Sequence, residues 1–265
     1  MRDFSIQLYK ILLEELIQAG YKFQTFREFQ STQGKRVVVL RHDVDDRKLN
    51  ALEFAQIQKK KGIKATYFFR IVPQSFDKNI IREISDMGHE IGYHYEDMAL
   101  AHGNPVLAIT YFERHLAQLR SIAPISSICM HGSPRSRHDN KKIWNTYNYR
   151  DYGITAEPYF DVDYQRVCYL TDTGRRWDGQ KFSIRDKVKN DFNLKFRSTY
   201  DILDALKKNK LPEKVMFTFH PQRWTDSYPL WLKEKWTQNL KNIIKFWFIK
   251  LKAEPEKVLK QKAEI

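Results

Sequence analysis

Apolar and polar positions along the chain fall into two rhythms that alternate from end to end. Short unbroken apolar runs, rich in β-branched and aromatic residues, read as strands buried on both faces. The first and densest is Val37-Val38-Val39-Leu40. Further runs are Ala65 to Val72, His89 to His94, Ser126 to Met130, Arg166 to Leu170 and Val215 to Phe219. Between them lie stretches with apolar residues at helical spacing, Arg47 to Lys61, Phe76 to Met87, Asn104 to Ser121 and one capped by Ser198 or Thr199 that runs to about Lys208. Gly62 and Gly88 stand where two of these helices should stop, and Pro105 sits at a first helical position. Strand, helix, strand, repeated this often, predicts an α/β chain with a mostly parallel sheet or barrel. An N-terminal helix with Ile6, Tyr9, Leu12, Leu13, Leu16 and Ile17 precedes the pattern and ends at Gly20, and the stretch from Asp139 to Asn193 follows neither rhythm.

At 265 residues the chain is long for one domain but within the range of a single α/β barrel. No repeat or low-complexity linker divides it. Lys and Arg number 46 against 32 Asp and Glu, a net charge of +14 that favours anionic partners without choosing among nucleic acid, acidic membrane and phosphorylated substrate. No zinc-finger spacing or RNA-recognition signature accompanies that charge, and the basic residues are spread along the chain, so no nucleic-acid partner is expected. Cys129 and Cys168 lie in strand-like contexts and read as buried free thiols. Lys10, Glu14 and Glu15 interrupt the N-terminal apolar stretch, which excludes a secretory leader or membrane span there and makes a cytoplasmic protein the expectation.

Chemistry enters at the strand ends. The first strand runs into Arg41-His42-Asp43-Val44-Asp45-Asp46, and carboxylates this close are hard to keep ionised without a cation. The plainer alternative is a solvated loop whose Asp46 caps the next helix. Other strand ends carry Tyr93-His94-Tyr95-Glu96-Asp97, Met130-His131-Gly132-Ser133-Pro134 and Phe217-Thr218-Phe219-His220-Pro221. Acidic and imidazole groups recurring at the same end of successive strands are how barrel enzymes assemble a site from distant sequence.

In these motifs the chain resembles the polysaccharide deacetylase family, the NodB-homology carbohydrate esterases. An Asp-rich motif ends the first strand, Gly88-His-Glu-Ile-Gly-Tyr-His94 resembles the family's Gly-His-Glu-Ile-Gly-Asn-His, and Met216 to His220 resembles its last motif. The resemblance covers roughly Val37 to Pro221. It implies a distorted (β/α) barrel of about seven strands over residues 36–230, with a helical extension over 1–35. It implies metal-dependent hydrolysis of an N-acyl group on a sugar, whether polymer, oligosaccharide or lipid- or nucleotide-linked precursor. The family's adjacent aspartates correspond either to Asp43 and Asp45 or to Asp45 and Asp46. The spaced pair is preferred because positions two apart on a strand share a side. The family's second histidine falls at Met98, a poor partner for a divalent ion. His131 is the candidate replacement, ahead of His102 in the following loop.

The resemblance then implies a set of roles. Asp45, His94 and His131 would hold a divalent metal, zinc by preference. Asp43 would act as base, and His220 as the acid for the leaving amine, oriented by Asp172 or Asp178. Tyr93, Tyr95, Trp177 and Trp224 are candidates for a sugar platform, and Arg135, with Arg137, Arg175, Arg176 and Arg223, for contact with an anionic substrate group. A carbohydrate-binding pseudoenzyme of the same fold is the alternative. Over residues 231–265, Trp231, Leu232, Trp236, Leu240, Ile243, Ile244, Trp247, Phe248 and Leu251 recur at helical spacing. The expectation is a last helix packed across the barrel by this face. The sharper alternative is a basic, tryptophan-rich helix touching an anionic membrane surface.

Overall fold

The apolar run Val37–Val44 forms a strand buried along its whole length, β2, in a computed structural model that describes residues 1–32, 34–132, 136–177, 188–189, 192 and 194–244. Its neighbours are β3 (Thr66–Phe69) and β7 (Lys214–Phe219), both parallel to it. β4 (Glu90–Tyr95) and β5 (Ile125–Met130) extend the sheet beyond β3, and β6 (Cys168–Thr171) extends it beyond β7. A short β1 (Lys22–Gln24) pairs with the first half of β2, from Val37 to Val39. The seven strands form one parallel sheet, six of them in the order β5-β4-β3-β2-β7-β6 with β1 beside β2 off this path, and among the described residues no pairing joins β5 to β6. The α/β class follows the expectation from the hydrophobic pattern, which marked six of these strands but not β1, and the strand count follows what the family resemblance implies.

Helices cover the outer face. α1 (Ile6–Gln18) is capped by Ser5, α4 (Lys78–Asp86) by Asp77, α6 (Pro105–Arg120) by Asn104, and α8 (Thr199–Lys207) by a Ser198–Asp201 capping box. α3 (Lys48–Lys60) starts without a side-chain cap, so Asp46 does not act as one. Parallel strands with helices on one side leave an inner face, and there a second apolar cluster gathers Val39, Phe68, Cys129, Tyr169 and Met216. Phe26, which opens the short α2 (Phe26–Ser31), plugs it from below. There the Arg27 backbone N–H donates to Glu90, which also accepts from Thr66 and Ser127. The first thirty-five residues therefore contribute a strand and core side chains as well as helix, more than the helical extension expected of them. The irregular stretch after Asp139 holds two short 3-10 turns, Asn140–Asn145 and Tyr149–Tyr152, and α7 (Pro158–Asp161).

The last described helix spans residues 228–244 and corrects one expectation. Trp231, Gln238 and Asn242 face the protein, while Trp236, Leu240, Ile243 and Ile244 face solvent. From Trp236 onward the described part of the apolar stripe does not pack across the barrel, because hydrogen bonds from Trp231 to the Asp3 carbonyl and from Asn242 to the Gly174 carbonyl fix the other side of the helix. Trp247, Phe248 and Leu251 lie outside the described residues.

Candidate active site

Alternation along β2 sends Val38, Leu40, His42 and Val44 toward the helices and Val39, Arg41 and Asp43 inward. The same alternation on β4 points Tyr93 and Tyr95 outward and His94 inward. Gly92 lies at the level of Phe68 on β3. A Cβ at Gly92 would meet the Phe68 ring at 2.4 Å, so glycine at this place in the motif lets the ring fill the interior below the site.

Above that ring, three donors from three strand ends converge. The Asp45 Oδ1 atom stands 3.5 Å from His94 Nε2 and 3.5 Å from His131 Nε2. Both separations are too long for a well-formed hydrogen bond, and Asp45 Oδ1 is buried with no hydrogen-bond partner. The outer nitrogen of each ring is already engaged. His94 Nδ1 lies 2.9 Å from the Cys129 carbonyl, and His131 Nδ1 lies 2.9 Å from Glu96 Oε2, whose carboxylate is itself gripped by Arg70. An outer nitrogen donating to a carbonyl or carboxylate fixes the tautomer that leaves Nε2 a lone pair, the usual preparation of a ligating histidine. An orphaned carboxylate oxygen facing two such imidazoles fits a divalent metal, and two nitrogens with one oxygen suit zinc. Burial alone would raise the Asp45 carboxyl, but His131, His220 and His94 hold it well below the ordinary range. Burial would likewise depress His94, and Asp43 and Asp45 together raise it.

A second grouping, Asp43, His94 and Cys129, lies deeper. It is the weaker cation site, because both Asp43 oxygens are taken: Arg41 Nε donates to Oδ1 at 2.8 Å and Nη2 to Oδ2 at 2.6 Å. The pair is almost wholly buried. Despite burial, Arg41 and then His94 keep the Asp43 carboxyl below its ordinary value. Asp43 Oδ2 is 3.8 Å from His94 Nε2, beside the candidate metal centre. On its other flank His220 Nε2 lies 3.8 Å from Asp45 Oδ2. His220 Nδ1 is 2.6 Å from Asp172 Oδ1. Asp172 also accepts from the His220 backbone, from Trp224 Nε1 and from Arg223, so it is the carboxylate that orients the ring.

The structure thus brings Asp43, Asp45, His94, His131 and His220 to one place. Asp46 is exposed and accepts from the neighbouring Arg47 backbone N–H, away from the cluster. Met98 is packed in the core on α5 (Asp97–Leu100), and His102 is exposed. The expected aromatic platform needs correction. Tyr93 is buried with its hydroxyl on Asp97 and near His115, and Tyr95 is buried with its hydroxyl on Glu157. Trp177 sits among Phe4, Phe217 and Phe219, and Trp224 is enclosed with its indole N–H on Asp172. None of the four offers a face to a sugar, because rings this large are drawn into the core wherever the sheet can cover them. Arg135 and Asp178 lie outside the described residues. Arg41, Glu96 and Arg70 were not singled out as candidates. An arginine inside an apolar strand, two residues before an aspartate, was the available signal for the first of them, since a buried charge needs a partner on its own side of the strand.

No protein-family model matches the chain, and no curated protein is similar to it in sequence. Solved structures are similar to it at low identity. A family 4 carbohydrate esterase (CE4) pseudoenzyme from Bacillus anthracis is 16% identical, with 78% of this chain covering 63% of that one at a TM-score of 0.42. A CE4 esterase from Streptococcus mutans is 13% identical, with coverages of 80% and 83% and a TM-score of 0.42. A family 4 carbohydrate esterase from Bacillus subtilis is 11% identical, with coverages of 91% and 90% and a TM-score of 0.42. The chain spans less than two thirds of the pseudoenzyme's own length. These three structures are two family 4 carbohydrate esterases and a pseudoenzyme of that family.

Proposed function

We propose that the chain is a metal-dependent hydrolase that removes an N-acyl group, acetyl or formyl, from a sugar carried on a polysaccharide or on a lipid- or nucleotide-linked precursor. The observation that carries this reading is the orphaned Asp45 Oδ1 between the two Nε2 atoms of His94 and His131, with Asp43 on one flank and His220 on the other. Asp45, His94 and His131 would hold the ion, zinc by preference. When bound, it supplies Lewis-acid activation of water and of the acyl carbonyl. Asp43 takes the proton from the attacking water, kept ionised for that task by Arg41. His220 Nε2 delivers a proton to the leaving amine while Asp172 holds Nδ1. Water and amide become carboxylate and ammonium, the water's protons going to the leaving nitrogen, and no other reactant is needed. The two buried free cysteines suit a reducing compartment, and the cytoplasm is the proposed location.

A second reading, a carbohydrate-binding pseudoenzyme of the same fold, has its own support: Arg41 occupies both oxygens of the proposed base, and Met98 replaces a family ligand. Elemental analysis beside a screen for amine release from N-acetylated and N-formylated sugars separates the two. The hydrolase reading expects near-stoichiometric divalent metal, lost in Asp45→Ala, His94→Ala and His131→Ala. It expects Asp43→Asn to retain metal while amine release falls about 10²–10⁴-fold. Glu96→Gln, which loosens His131, should weaken metal binding about 10–100-fold. Absence of metal after loading with zinc, or metal without amine release from any sugar, overturns the hydrolase and leaves the pseudoenzyme.

A further inference from the structure

The helix over residues 228–244 carries its amphipathicity the wrong way round for a surface helix of a globular protein. At the rotation of an α-helix, Leu232, Ile243, Trp236 and Leu240 fall within about 80° of arc. Three of them are among the most exposed large apolar side chains of the described residues: Trp236 at 69%, Leu240 at 60% and Ile243 at 57%. The side turned to the protein is polar, with Gln238 only 4% exposed and hydrogen-bonded to Asn242, which in turn donates to the Gly174 carbonyl. Trp231 on that side donates to the Asp3 carbonyl and lies under the Arg175 guanidinium. The helix is therefore fixed in place by its polar side, and its apolar side is left facing outward.

Charge selects the occupant. Lys233 borders one edge of the apolar arc and Lys235 lies beyond the other, both exposed, while Glu234, the acid on this helix among the described residues, is turned toward Arg175. The sequence after residue 244 continues Lys-Phe-Trp-Phe-Ile-Lys-Leu-Lys, outside the described residues. A second copy seated on this face would set these lysines against another molecule of net charge +14. An anionic bilayer accepts both features, with the tryptophan and aliphatic side chains entering the headgroup boundary and the lysines meeting lipid phosphates. We propose that the outward face of this helix, centred on Trp236, Leu240 and Ile243, docks the protein on an anionic lipid surface. The inference is independent of the hydrolase reading. Its consequence for that reading is positional: Asn242 rests on the turn that carries Asp172, so docking would bring the His220 side of the site near the lipid.

Cosedimentation of the full chain with phosphatidylcholine vesicles, with and without phosphatidylglycerol, tests the proposal. Binding is expected to the anionic vesicles and to weaken with salt. Trp236→Ser combined with Leu240→Ser should lower the partition constant on the order of tenfold or more, from lost apolar burial. Lys233→Gln and Lys235→Gln should each lower it about fivefold on anionic vesicles only. The replaced side chains are exposed, so thermal melting should be unchanged, which separates lost docking from lost folding. Equal partition of the wild type and the serine variant overturns the proposal. So does a wild-type dimer in sedimentation velocity that the serine variant dissociates, with no vesicle binding, which would assign the face to a second copy.

Discussion

Arg41 and Asp43 are two residues apart on a strand buried throughout, and their bidentate contact satisfies both carboxylate oxygens. Breaking such a pair from one side strands a charge where water cannot reach it, which costs far more than the intact pair contributes. Arg41→Met is expected to destabilise the protein by about 3–5 kcal/mol. Arg41→Met combined with Asp43→Asn should recover much of that loss, because no charge is then left alone. Urea unfolding of the two single variants and the double variant reads the coupling directly, and additive losses would show that the pair does not act as a unit. The same physics decides what could be read at this scale. Asp43, Asp45, His94, His131 and His220 were legible because ionisable groups at the same end of successive parallel strands have few structural reasons to be there. Arg41 and Glu96 act through another side chain: only the i, i+2 spacing to Asp43 signals the first, and nothing in the spacing announces the partners of the second, Arg70 and His131. Tyr93, Tyr95, Trp177 and Trp224 misled for the opposite reason: proximity to a motif does not say which side of the strand a ring occupies, and each lies where the core could take it.

At the scale of elements, β4 shows how one strand serves packing and site together. Glu90 closes the bottom of the sheet, Gly92 makes room for Phe68, and His94 emerges at the top. Gly92→Ala would push a methyl group into the Phe68 ring, with the Ser127 carbonyl 3.1 Å away on another side. Overpacking of this kind costs about 1–3 kcal/mol, and the expected result is a lower melting temperature that Phe68→Leu partly restores. A melting temperature unchanged by Gly92→Ala would mean that the ring moves freely and the glycine has no packing role. Strand and helix positions were readable from periodicity because each period reports a buried face. Which way an amphipathic helix turns that face is a different matter. The stripe on residues 228–244 has the same spacing whether it faces core or solvent, and side-chain hydrogen bonds to Asp3 and Gly174, contacts at long sequence separation, settle the orientation. Likewise β1 was missed because three residues are too few to show a period.

Across the whole molecule, the helices are tied to the sheet by a buried polar network that depends on neutral histidine. His42 lies between the Tyr67 and Phe219 rings. Its Nδ1 faces the Thr66 carbonyl, and its Nε2 receives the Gln58 amide at 3.0 Å, so one nitrogen must donate and the other accept. Gln58 in turn meets the hydroxyls of Tyr9 and Tyr67, which joins α1, α3, β2 and β3 through one ring. His89 repeats the arrangement, accepting from the Ala65 N–H and facing the Ala55 carbonyl. Burial presses His42 from 6.5 down to about 3, and His89 down to about 4. A base whose folded pKa is depressed binds its proton in the unfolded chain first, so its contribution is complete above pH 6.5 and is lost as pH falls toward the folded value. For His42 the full loss, complete only once the pH reaches about 3, is on the order of 5 kcal/mol, a large part of the stability of an ordinary domain. Melting temperature is therefore expected to fall steeply between pH 6.5 and 4. His42→Phe keeps the stacked ring and removes the titration. It should be less stable at neutral pH by about 1–3 kcal/mol, because the Gln58 amide loses its acceptor, yet flatter on the acid side. Parallel acid limbs in wild type and variant would assign acid unfolding to other groups and take His42 out of the account. A flattened limb would make this neutral imidazole, next to Asp43 in sequence but on the opposite face of β2, the main determinant of how far into acid the fold survives.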